Sequence, residues 1–255
     1  MSEVDPQTPQ PGMEAGPAKR LRVAAVGDLH VGESQERPYR ELFERVHEDA
    51  DVLCLCGDLV NFGKTREVEV LLADIRACRI PMVGVLGNHE HECGQPEVVS
   101  RMLCDAGVKV LTGQAFEIEG VGFAGGKGFI GGFGRYMLSP FGEASVKAFV
   151  QEAIDDANQI ENSIRMLRTE RSVVLLHYAP VVETVLGEPP EIHAFLGSSR
   201  LAETIDRYDN ISIVVHGHAH RGGAEGRTNK GVPVYNVALP VLKTLGDKPY
   251  RVFEV

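Results

Sequence analysis

Short apolar runs recur along this chain, each closed by a polar or glycine-containing turn and separated by longer stretches of mixed character. The first is LRVAAV (21–26), followed by a helix-compatible segment near 36–48, the run DVLCLC (51–56), a second helical segment near 65–78 and the run PMVGVL (81–86). Strand-length apolar runs alternating with helical segments are the sequence form of βαβ units, and so of a sheet covered by helices. Between 114 and 124 two segments flank Glu119-Gly120, which predicts a hairpin. A glycine-rich loop, GGKGFIGGFGR (125–135), precedes a Pro- and Gly-free segment from 143 to 170 that predicts one long helix. Four late strands follow at 172–176, 211–215, 232–238 and 250–255.

With 255 residues and 43% hydrophobic content, the chain can bury the core of one α/β domain, assigned to 21–255. Residues 1–20 hold four prolines and neither a signal-peptide core nor an Arg-rich amphipathic pattern, so they are expected to form a disordered tail. No run of 18 apolar residues is present, which predicts a soluble protein without a membrane partner. The five cysteines are odd in number, and Cys54 and Cys56 sit inside an apolar run as core residues, which points to a reducing compartment, the cytoplasm. A net charge of −10 disfavours extended nucleic acid as a partner and leaves a small anionic substrate held by local positive charge.

The chemistry lies where the apolar runs stop. They end in Gly27-Asp28-Leu29-His30, in Gly57-Asp58-Leu59-Val60-Asn61, in Gly87-Asn88-His89-Glu90, in His177-Tyr178-Ala179-Pro180 and in His216-Gly217-His218-Ala219-His220. Ligand crevices of open α/β sheets lie beyond the carboxyl ends of the strands, so five such clusters can converge. Asp28 and His30, like His218 and His220, are two residues apart and in an extended backbone point to one side. The glycines permit a sharp exit from the strand and close backbone approach. One donor per position gives Asp28, His30, Asp58, Asn88, His177, His218 and His220, too many for one tetrahedral zinc and suited to two metals sharing a carboxylate. The mixture of imidazole, carboxylate and amide oxygen suits Mn, Fe, Zn or Co, with Mn expected to support activity in vitro.

Those five motifs, in this order, resemble the calcineurin-like metallophosphoesterase superfamily over about residues 21–240. The resemblance implies a four-layer α/β/β/α sandwich of two mixed sheets flanked by helices. It implies one metal held by Asp28, His30, Asp58 and His220 and a second held by Asp58, Asn88, His177 and His218, with Asp58 as the bridge. It further implies His89 as the residue that contacts the phosphate and protonates the leaving oxygen, with Asn61 and Glu90 behind the ligands and Glu90 orienting His89. A water acidified by two cations is then the nucleophile. The reaction expected is hydrolysis of a small or cyclic nucleotide-type phosphodiester. A phosphomonoesterase, including a protein phosphatase, is the alternative with the same core, and a non-catalytic scaffold is disfavoured by retention of all seven ligands.

The remaining candidates have plainer readings. His216 is expected to be a core or supporting histidine, His47 a solvated helix residue, and His91 and His193 ordinary loop residues near the cleft. Lys127, Arg135 and Arg221 either meet the substrate's phosphate or are solvated loop cations. Phe129 and Phe133 either shape a lid or pack a turn. The glycine-rich loop lacks the features of a phosphate-binding P-loop or a dinucleotide fingerprint.

Overall fold

Each apolar run that closes on a glycine becomes a strand buried on both faces, because parallel strands flanked on both sides bury every side chain. The computed structural model describes residues 20–33 and 37–255, so the tail expected over 1–20 lies, apart from Arg20, outside the described residues. In the first sheet β1 (Arg22–Val26), β2 (Val52–Cys56), β3 (Met82–Val85) and β4 (Val108–Val110) run parallel. The other sheet holds β5 (Phe116–Ile118), β6 (Val121–Gly125), β7 (Arg171–Leu175), β8 (Ile211–His216), β9 (Glu225–Arg227) and β10 (Pro233–Asn236). Its order is β5-β6-β7-β8-β10-β9, with β6, β7, β8 and β10 parallel and antiparallel strands at both edges. The last strand, β11 (Arg251–Glu254), returns to the first sheet antiparallel to β1, giving the order β11-β1-β2-β3-β4.

Helices α1 (Arg40–Asp49), α2 (Thr65–Ile75), α3 (Asn88–His91) and α4 (Pro96–Asp105) belong to the first half of the chain. The second half contributes α5 (Ala144–Met166), α6 (Ser199–Ile205) and α7 (Leu239–Leu245). Alternation along β7 shows how the layers stack. Val173 and Leu175 join the core cluster that contains Leu53, Leu55 and Val83 of the first sheet, whereas Val174 joins Ala157, Ile160 and Leu201 of α5 and α6. Phe43 and Val46 of α1 and Leu71 and Ile75 of α2 pack into the first cluster. The result is the expected α/β/β/α arrangement of two mixed sheets flanked by helices.

Boundaries differ from expectation where local geometry intervenes. The long helix stops at Met166, because Leu167 turns extended (φ −69°, ψ 142°) to lead into β7. The hairpin forms with Glu119 (φ 47°) and Gly120 (φ 79°) as its two central residues, the left-handed pair such a turn requires. None of the described helices is long and apolar enough to cross a membrane.

Candidate metal centre

Because β1, β2, β3, β7 and β8 are parallel within their sheets, their carboxyl ends open on one rim of the sandwich. Beyond that rim the loop after β1 runs alongside the loop after β2: Asp28 N–H donates to Gly57 O (2.9 Å), His30 N–H to Asp58 O (3.0 Å) and Val31 N–H to Leu59 O (3.0 Å). The loop after β8 is tied to the same place by Gly217 N–H donating to His177 O (3.2 Å) and by His218 N–H donating to the Asp28 carboxylate (3.0 Å).

Asp28 and His30 do not sit on an extended backbone, as the two-residue spacing suggests. Asp28 (φ 59°), His30 (φ 48°), Asp58 (φ 50°) and His218 (φ 70°) are all left-handed, and with Glu119 they are the non-glycine residues with positive φ among the described residues. The ligand pairs converge through strained turns rather than strand alternation. Backbone strain of this kind costs about 1–3 kcal/mol per residue and collects at functional sites.

The glycines before the motifs serve clearance more than turning. A Cβ on Gly87 would stand 2.1 Å from Asp58 Oδ1, one on Gly217 2.3 Å from Asp28 Oδ2, and one on Gly57 2.6 Å from His177 Nδ1. Only Gly57 of the three also has a positive φ, +80°.

Two clusters of donor atoms result. In one, His220 Nε2 lies 2.9 Å from Asp28 Oδ1 and 3.4 Å from His30 Nε2. In the other, His177 Nε2 lies 2.9 Å from Asn88 Oδ1, 3.1 Å from His218 Nδ1 and 3.3 Å from Asp58 Oδ2. Asp58 also groups with His30 and His89, so its carboxylate stands between the clusters. Hydrogen-bond bookkeeping in the second cluster is decisive. His177 Nδ1–H donates to Cys56 O (2.9 Å) and His218 Nε2–H donates to Phe195 O (3.2 Å). The inward-facing atoms of neutral His177 and His218, with Asp58 and Asn88, are therefore all lone pairs pointing at one another. Such a set is repulsive without a cation, and separations near 3 Å match adjacent ligands on metal bonds of about 2.1 Å. The residues fit a transition-metal site.

The electrostatics agree. Burial pulls the His177 imidazolium down, but Asp58 and then Asp28 outweigh it and push the group up to about 9, so a proton takes the place of the cation. Asp58, despite burial, is held well below the usual carboxylate range by His177. Burial and the charge of His177 drive His218 down to about 3.

The supporting residues differ in part from expectation. Glu90 does not orient His89. Fully buried, it accepts N–H from Asp58 (2.9 Å), Gly87 (2.6 Å) and Val60 (3.0 Å), stapling the second and third motifs together. Burial and the nearby Asp58 raise its carboxyl to about 7. The carbonyl of Asn61 orients His89 instead, accepting from Nδ1 (2.5 Å) and leaving Nε2 3.8 Å from Asp58 Oδ2. His216 is a satisfied core histidine, bonded to Thr184 Oγ1 (2.8 Å) and Gly217 O (2.8 Å).

Lys127 is not a solvated loop cation: its ammonium pairs with Asp156 (3.0 Å) over the ring of Phe129 (4.7 Å). Arg135 is exposed and stacks on Tyr136 (4.6 Å), while the backbone N–H of Arg221 donates to Glu188 (2.7 Å). Phe129 packs on Phe149 (5.3 Å) and Phe133 on a small cluster with Val185 and Leu196, so both are packing residues rather than a lid. His193 bonds the carbonyl of Glu188 (3.0 Å), and His47 is partly buried rather than solvated. Tyr178, whose ring stands 4.5 Å from that of His218, is a wall residue without a motif to mark it beyond its place in the His177-x-x-Pro180 unit.

A family model described as calcineurin-like phosphoesterase matches residues 21–222. An uncharacterised protein of Methanocaldococcus jannaschii is 27% identical over 211 residues, covering 79% of this chain and 81% of that protein. A probable cyclic nucleotide phosphodiesterase of Moraxella catarrhalis is 33% identical over 82 residues, 29% of this chain and 30% of that protein. Among solved structures, phosphopantetheinyl hydrolase from Mycobacterium tuberculosis superposes with a TM-score of 0.64 at 16% identity, covering 92% of this chain and 96% of that one.

Proposed function

We propose, from the premise that the chain belongs to the calcineurin-like phosphoesterase family and is a metal-dependent phosphoester hydrolase, that it cleaves a small nucleotide-type phosphodiester at a two-metal centre. The carrying observation is the pair of donor clusters meeting at the Asp58 carboxylate. Asp28, His30 and His220 would hold one metal, Asn88, His177 and His218 the other, and Asp58 both. Bound there, a pair of Mn, Fe, Zn or Co ions supplies Lewis acidity for the phosphate oxygens and acidifies water toward neutral pH. The diester preference is supported by the similarity to the Moraxella protein. All five cysteines are free, which suits the reducing cytoplasm as its setting.

His89 carries the proton in this reading. Its Nδ1–H is anchored on Asn61 O and its Nε2 is turned toward Asp58, so the ring presents one nitrogen to the cleft and, as the imidazolium, would give its Nε2 proton to a departing alkoxide and be left neutral with Nδ1–H still on Asn61 O. Glu90 acts on no substrate atom and fixes the turn that aims Asn88 and His89. The experiment is kcat/KM for bis(p-nitrophenyl) phosphate against p-nitrophenyl phosphate, on chelator-stripped protein reloaded with Mn²⁺. A clear diester preference supports the reading. A monoester preference replaces it with a phosphomonoesterase, and absence of metal-dependent turnover of either ester counts against both.

A further inference from the structure

Beside the metal centre, in the seam between the edges of the two sheets, lies a cavity of about 530 Å³. It is built on the same rim. Leu86 and His91, which line it, bracket the Gly87–Glu90 turn that carries Asn88 and His89, and Leu111 and Gly126 line it from just past the ends of β4 and β6. Lys127, a further wall residue, accepts the backbone N–H groups of His177 (3.0 Å) and Tyr178 (3.1 Å) on its carbonyl. The cavity thus adjoins the loops of two motifs. Helices α4 and α5 close its outer side.

Its chemistry restricts what it can hold. The Lys127 ammonium is committed to Asp156, both side chains being largely buried, at 16% and 12% exposure. Glu97 and Arg101 stand one turn apart on α4, again one charge of each sign. The two Lys and Arg cations of the wall are matched in number by its two carboxylates, so the cavity carries no formal excess of positive charge for a second phosphate or carboxylate. The apolar surfaces of Leu86, Pro96 and Leu111 face a space edged by Ser100, Thr112 and Gln159, which offer both donors and acceptors. Apolar walls with a few polar groups, in a volume within the roughly 300–1,000 Å³ of small-molecule sites, suit a flat heterocycle with hydrogen-bonding edges.

We propose that this cavity is the subsite for the uncharged, heterocycle-bearing alcohol of the phosphodiester, a nucleoside-sized group, seated there while the phosphate lies at the metal centre. The inference rests on the phosphodiesterase reading above and assigns it a specificity determinant.

Two diesters with the same leaving group separate the two ideas: thymidine 5′-(p-nitrophenyl phosphate) and methyl p-nitrophenyl phosphate, each with Mn²⁺-loaded protein. The nucleoside ester is expected to be preferred in kcat/KM by about tenfold, equivalent to about 1.4 kcal/mol. Filling the cavity from α4 with Cys104→Trp is expected to bring that ratio near one; a ratio that the variant leaves intact overturns the proposal. A second readout needs no turnover. Cys104 is exposed and lines the cavity, whereas Cys93 is exposed elsewhere. Thymidine is expected to slow alkylation of Cys104 by N-ethylmaleimide and not that of Cys93. Equal rates with and without thymidine overturn the subsite even if diesters are hydrolysed. Protection of Cys104 without hydrolysis of either ester upholds the subsite and refutes the diesterase reading alone.

Discussion

At the scale of single residues, the site is assembled on left-handed backbone at Asp and His, which enter that region more often than other non-glycine residues but still at a cost. His30 in the left-handed region is tolerated only because the surrounding loops over-determine it. Asparagine accepts that conformation more readily. His30→Asn is therefore expected to leave the melting temperature of chelated protein unchanged or higher while lowering metal content and activity; a clear destabilisation of the chelated protein would contradict the strain argument. Gly87→Ala drives a Cβ onto Asp58 Oδ1, which also receives the N–H of His89 (2.9 Å). Misplacement by about an ångström costs on the order of 10²-fold in rate, and that loss in kcat/KM is expected with the circular dichroism spectrum retained. Glu90→Gln would turn an NH2 toward one of three backbone N–H groups and is expected to cost about 1–3 kcal/mol in urea unfolding. His89→Ala should keep its metal, measured by mass spectrometry, and lose roughly 10²–10⁴-fold on poor leaving groups. The pH dependence of metal-free protein follows from His177, whose folded value, near 9, lies above its ordinary 6.5. Its contribution to stability is complete below 6.5 and lost as pH rises through about 9, so chelated protein is expected to unfold more easily at pH 9 than at 6.5 while metal affinity rises over the same window.

At the scale of elements, what could be read from the sequence divides along a physical line. The strands could be read because burial on both faces leaves continuous apolar runs, and their polar endings mark the rim where the site forms. Leu175, fully buried in β7 between the layers, shows what that burial is worth: Leu175→Ala is expected to lower stability by about 2–5 kcal/mol in denaturant unfolding. Helices α4, α6 and α7, at 7–10 residues, present only two to four buried positions each, too few to establish a period against their loops. Their signals are at the ends instead, as in Pro96 in the first turn of α4 and Ser198 accepting from Arg200 N–H (3.3 Å) at the start of α6. The motifs named which side chains converge but not how. Spacing of two suggested strand alternation, whereas the loops after β1 and β2 pair with each other and turn left-handed. The ion pair of Lys127 could not be read either, because its partner Asp156 lies 29 residues away on α5.

At the scale of the molecule, the two sheets bring seven donors to one rim, and the repulsion among them is left for bound cations to relieve. Metal binding should therefore stabilise the whole fold. At 100 times the dissociation constant the gain is about 2.7 kcal/mol, which for a domain of this size is a rise on the order of 5–10 °C in melting temperature on Mn²⁺ addition to chelated protein. The arrangement also makes Asp58 the one residue whose loss should affect both metals, since it alone belongs with His30 and His89 on one side and His177 and His218 on the other. The most direct test is metal stoichiometry by inductively coupled plasma mass spectrometry for wild type, Asp58→Asn and Asn88→Ala, each reloaded with Mn²⁺ and desalted. The account expects two ions per chain in the wild type, about one in Asn88→Ala and fewer than one in Asp58→Asn. One ion or none in the wild type, or two retained in Asp58→Asn, would contradict a binuclear centre bridged at Asp58.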